Sequence, residues 1–189
     1  MMMRATILSA CLATAAALSP NPATVAELNV TAYAGTWYQV YGDAAVMKTF
    51  ERDNVCVTAQ YGLNADGTIS VVNDARLVTP TGQDTVITGS ASIPDADKPG
   101  QLLVKLDGQG AAPYWVLDLG PVNGDGLYDW AIVSDNLSAT LFVLARDPDD
   151  FAEKYDADVS NELVDLGFTG FSEPLAVYQG DDCTYPSKK

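Results

Sequence analysis

The stretch Gly35-Thr36-Trp37-Tyr38, continuing through Gln39-Val40-Tyr41, and the later stretch Leu144-Ala145-Arg146-Asp147-Pro148 bracket the part of the chain that decides its fold. Trp, Tyr, Val and Thr suit a pleated, half-buried strand, so 36–41 reads as a first strand. Seven further runs of the same character follow, at 55–63, 67–78, 85–91, 101–106, 114–119, 128–134 and 140–146. Asn64-Ala65-Asp66-Gly67, Thr79-Pro80-Thr81-Gly82 and Asn123-Gly124-Asp125-Gly126 separate them with residues that tolerate positive φ or preset a turn.

Beyond Asp147-Pro148 the period changes. Phe151, Tyr155, Val159, Leu163 and Leu166 are spaced as one face of a helix over 150–166, with Gly167 as its terminator. A last extended run, 175–178, precedes the tail. Eight short strands and one helix fit an all-β, up-and-down barrel with the helix outside it, or a two-sheet sandwich; the pattern alone leaves both open.

Composition narrows the function. The 189 residues are 48% apolar and 19% charged, those of a globular domain. Ten Lys and Arg stand against 25 Asp and Glu, a net charge of −15. A surface so acidic repels phosphate backbones and anionic head groups, so nucleic acid is excluded as a partner. The chain has no histidine, which removes Ser-His and Cys-His triads and His-ligated metal sites. No segment meets the twelve-residue calcium-loop pattern: aligned on Asp66-Gly67, its first and last positions are Gly62 and Asn73. No metal and no cofactor are expected.

Residues 1–26 read as an export signal: Arg4, an apolar run over 5–18, then small residues at Ala15-Ala16-Ala17 or Thr24-Val25-Ala26 for cleavage. One domain then spans 27–189. The apolar run is too short for a transmembrane helix. Leu8-Ser9-Ala10-Cys11 has the form of a lipobox, so a chain anchored through Cys11 is the alternative to a secreted one. Removing the leader leaves Cys56 and Cys183, an even pair that suggests one disulfide in an exported chain. Asn29 and Asn136 head N-x-S/T sequons.

Gly35-Thr36-Trp37 with Arg146 resembles the lipocalin family, whose first-strand Gly-x-Trp and last-strand Arg meet at the closed end of an eight-stranded barrel. The likeness extends over 30–41, 50–73, 113–117 and 141–148, in order, and is closest to the apolipoprotein D and bacterial outer-membrane lipocalin branch. It implies a calyx, a guanidinium over the Trp37 ring, a Cys56–Cys183 bridge from second strand to tail, and binding of a small hydrophobic ligand such as a fatty acid, sterol, retinoid or carotenoid. By analogy the role is carriage under lipid or oxidative stress. The family's Thr-Asp-Tyr block after the sixth strand is replaced here by Leu119-Gly120-Pro121-Val122-Asn123-Gly124, so any receptor or homodimer contact made by that loop must differ.

Period-two alternation fixes parity within a strand but not which face is inside. The residues expected to line the ligand are Tyr61, Trp115, Leu117, Trp130, Ile132, Phe142 and Leu144, with Tyr41 and Val104 behind them. Gly35, Trp37 and Arg146 are expected to be structural. No catalytic residue is assigned. The competing classes are a cavity enzyme of the carotenoid de-epoxidase type, for which Asp118 is the carboxylate to watch, and a protein-binding lipocalin without a ligand.

Overall fold

The structure, a computed structural model, describes residues 20–185. Most of the expected leader, with Cys11, lies outside them. Strands β1 (Gly35–Gly42), β2 (Asn54–Leu63), β3 (Ile69–Leu77), β4 (Asp84–Ser92), β5 (Gln101–Leu106), β6 (Ala111–Leu119), β7 (Trp130–Ser134) and β8 (Leu141–Ala145) follow one another in a single antiparallel sheet. β1 pairs with both β8 and β2, which closes the sheet into an eight-stranded barrel and rules out the sandwich.

Short helices flank β1. In α1 (Val30–Tyr33), Asn29 accepts from the Thr31 and Ala32 N–H groups, and in α2 (Ala44–Lys48), Asp43 accepts from Val46 N–H at 2.9 Å. The helix expected over 150–166 is two helices, α3 (Pro148–Lys154) and α4 (Asp156–Asp165). They meet at Tyr155, whose φ of −122° leaves the helical range while its hydroxyl donates to Asp129 Oδ2 at 2.6 Å. Asp147 caps α3 by accepting from Asp149 and Asp150 N–H, both at 3.0 Å.

α3 and α4 lie on the outside. Their buried Phe151, Val159 and Leu163 pack with Leu117, Ile132, Leu141 and Val143. Burial of each such side chain contributes roughly 1.5–3 kcal/mol. A second cluster, with Trp37, Tyr61, Val71, Val133 and Leu144, fills the inner face.

β1 and β2 pair only from Gly35 to Tyr38, and the tail enters the opening above. β9 (Leu175–Ala176) pairs with Tyr41 and Gly42. The Gln179 amide donates to Gln39 O at 2.9 Å and Val57 O at 2.8 Å, spanning both strands. The Cys56–Cys183 disulfide, with a Cα–Cα distance of 5.6 Å, holds the tail there. Arg76 adds a bond to Thr184 O at 2.5 Å and ion pairs to Asp74 and Asp84.

Candidate functional site: the barrel interior

The closed end is built around Arg146. Its guanidinium carbon lies 3.6 Å from the Trp37 ring centre. Nε donates to Tyr128 O (3.1 Å), Nη1 to Thr36 O (2.7 Å), and Nη2 to Ala32, Tyr33 and Ala34 O (3.0, 3.1 and 2.8 Å). The Trp37 indole N–H donates to Tyr33 O at 2.8 Å, so ring, cation and the end of α1 form one plug. Burial lowers the Arg146 pKa to about 10, against the opposing pull of Tyr33, Tyr61 and Asp129. Gly35, with φ +95°, lies 3.3 Å from Arg146 Nη1 as measured to the position a Cβ would take.

Above the plug stand three tyrosines. Tyr33 and Tyr61 stack with ring centres 5.7 Å apart, and their hydroxyls reach that of Tyr114 at 2.7 and 3.1 Å. Burial pushes the Tyr33 and Tyr114 hydroxyls well above the usual range and that of Tyr61 up to about 12, so all are neutral donors at physiological pH.

The wall is apolar and carries many short side chains: Ala59, Val71, Ala91, Ala131 and Val133 belong to the inner cluster, with Val104 and Phe142 packed against it. At the mouth, between α2 and β2, Phe50 is exposed with its ring centre 6.2 Å from that of Phe142. Its neighbour Glu51 is largely buried and accepts from Gln39 Nε2 at 2.7 Å. Burial raises the Glu51 pKa to about 7; Gln39 pulls the other way and Asp43 adds to the rise.

Of the expected ligand-lining residues, the structure brings Tyr61, Val104, Phe142 and Leu144 together on the inner face. It places Tyr41, Trp115, Leu117, Trp130 and Ile132 in the outer cluster beneath the helices. Two bulges account for part of this. The register slips between Gln39 and Tyr41, so Gln39 pairs with inner Leu144 whereas Tyr41 pairs with outer Val143. A second slip between Val116 and Asp118 pairs Asp118 with outer Ile132. The Asp118 carboxylate therefore faces away from the interior and accepts from Leu119 N–H at 2.8 Å. In β7 the bulky Trp130 and Ile132 feed the helix layer, and the smaller Ala131 and Val133 face in.

Sequence reasoning missed Tyr33, Tyr114, Gln39 and Glu51. Parity with Trp37 would have found Gln39; nothing local marks Glu51, which enters from a loop. The substituted loop after β6 is organised by Asn123, whose side chain bonds Asp125 N, Leu127 N and Asp129.

A family profile described as a lipocalin-like domain matches residues 28–170. The outer membrane lipoprotein Blc of Vibrio cholerae is 30% identical over 142 residues, 75% of this chain and 76% of that protein. Insecticyanin from the tobacco hornworm Manduca sexta superposes with a TM-score of 0.65 at 17% identity, covering 88% and 89% of the two chains. The amine-binding protein of Rhodnius prolixus, solved with tryptamine, gives 0.61 at 20% identity over 90% and 91%. These structural neighbours share the fold. The family match, together with the identity to the Vibrio cholerae protein over most of the domain, makes the chain a member of the lipocalin family.

Proposed function

We propose that this lipocalin is an exported carrier that holds one small hydrophobic ligand inside its barrel and does not transform it. The observation that carries the reading is the inner face: mostly apolar, with short Ala and Val side chains along its wall, and stoppered at one end by Arg146 over Trp37. An apolar ligand entering it leaves water at roughly 25 cal/mol per Å², so burying about 300 Å² contributes about 7 kcal/mol before association costs. Tyr61, Val104, Phe142 and Leu144 are its expected contacts. The outward placement of Asp118 supports a carrier over a cavity acid catalyst, and the names of the relatives, a tryptamine-binding protein among them, fit binding without turnover.

The Cys56–Cys183 bridge supports an oxidising, extracytoplasmic setting. Hydrogen bonds from Asn21 N–H to Asn136 O (2.8 Å) and from Val25 N–H to Val116 O (3.0 Å) support leader removal at Ala15-Ala16-Ala17, upstream of both. The mature protein then lacks Cys11 and is released, and its intact mass distinguishes this from an acylated Cys11. Titration with the uncharged fluorophore Nile red tests the carrier role: saturable one-to-one binding is expected, and binding that never saturates contradicts it.

A further inference from the structure

The inner face of the barrel is not uniformly apolar. Gln39 pairs with Leu144 and so faces the interior, where its amide donates to Glu51 Oε2 at 2.7 Å. Asn73 on β3 pairs with inner Ala59 on β2, which in turn pairs with Trp37 on β1. Asn73 thus stands level with Trp37, on the far side of β2, and Gln39 is the next inward position of β1 toward the mouth. The side-chain Oδ1 of Asn73 is buried and has no hydrogen-bond partner among the described residues. Among the described residues, the Glu51 carboxylate receives one bond, through Oε2, and no ion pair. A carboxylate takes several donors, and a buried amide oxygen is rarely left without one.

Among the described residues, the interior above the plug is therefore short of donors at Asn73 and Glu51. The cation of the inner face, Arg146, donates to five carbonyls at the opposite end. The tyrosine hydroxyls bond one another, also toward the closed end.

Resting on the carrier reading, we propose that Gln39, Glu51 and Asn73 form a head-group subsite, at which an apolar ligand ending in a hydrogen-bond-donating cation, a primary alkyl ammonium, is selected over one ending in a carboxylate. An ammonium supplies three donors, enough for the unpartnered Asn73 oxygen and for the further bonds that the Glu51 carboxylate can accept, and sets a positive charge beside Glu51. A ligand carboxylate brings more acceptors and a second negative charge into the same low-dielectric space, where one of the two must be protonated. An alkyl alcohol, with one donor and no charge, falls between. The titratable groups acting on Glu51 are Asp43, at the cap of α2, and Tyr61 on β2, neutral with its hydroxyl pushed up to about 12.

The test is displacement of Nile red from the oxidised protein by dodecylamine, dodecanol and dodecanoate at pH 8 in moderate salt. Dodecylamine is expected to displace the dye at a concentration about tenfold or more below that of dodecanoate, with dodecanol between. Glu51→Gln compresses that order, and Asn73→Leu weakens the amine and the alcohol while sparing dodecanoate. Lowering the pH to 5.5 protonates Glu51 and shrinks the amine's advantage over dodecanol, which does not titrate, in the parent protein but not in Glu51→Gln. Equal displacement by all three overturns the subsite and leaves the carrier role intact. So does an order that survives both substitutions, since the net negative surface then explains it. Absence of saturable dye binding overturns both.

Discussion

Replacing Arg146 with Lys keeps the charge at the closed end and removes the geometry. The guanidinium holds five carbonyl oxygens, belonging to Ala32, Tyr33, Ala34, Thr36 and Tyr128, across a spread that its planar fork spans. A lysine has three donors on one nitrogen, so at least two of those carbonyls lose their partner. A hydrogen bond to a charged donor contributes about 1.5–3 kcal/mol, so the loss of two comes to about 3–6 kcal/mol. Part of the attraction between the cation and the Trp37 ring, about 1–2 kcal/mol when desolvated, goes with it. For a domain of this size each kcal/mol moves the melting temperature by about 2–4 °C, so Arg146→Lys is expected to melt about 10 °C or more below the parent. Urea unfolding followed by tryptophan emission, with the disulfide intact in both proteins, measures it. A loss below about 1 kcal/mol refutes the reasoning and makes the plug a consequence of the fold and not a support of it.

Three more outcomes are expected. Reducing Cys56–Cys183, which closes a sequence separation of 127 residues, lowers stability by up to about 5 kcal/mol on chain-entropy grounds; urea midpoints with and without reductant read it. Glu51, ordinarily near 4.5 and raised to about 7 by burial, is held more easily protonated than ionised in the fold. Its contribution is thus fully present below about pH 4.5 and is lost as pH rises toward and through 7, by up to about 3 kcal/mol. The parent protein therefore declines over that window relative to Glu51→Gln, as unfolding at stepped pH measures. In Gly120→Ala the new methyl meets the Trp130 ring at 2.6 Å, and about 1–3 kcal/mol of destabilisation is expected with a changed near-ultraviolet tryptophan signal.

The strands and their order were legible because alternation and turn residues are local properties, and the barrel followed from Gly35, Trp37 and Arg146. The sidedness of the strands was not. A bulge reverses parity without leaving a residue signature, so Tyr41, expected behind the ligand contacts, lies outward. Trp115, Trp130 and Ile132, expected as ligand contacts, lie outward, since the outer helices need large partners and a hollow needs small ones. α1 and α2 are too short to show a period; their caps, Asn29 and Asp43, were the available marks. Tyr155 interrupts the helical stripe through a bond to Asp129, a partner distant in sequence.

The central claim, a ligand held within the barrel, is tested most directly by methyl NMR of the oxidised protein during titration with dodecylamine. The methyl signals of Ala59, Val71, Ala91 and Ala131, on the inner face, are predicted to shift together and saturate at one equivalent, while those of Val159 and Leu163, under the outer helices, stay in place. Shifts confined to the Val159 and Leu163 set, or none that saturate, would contradict it.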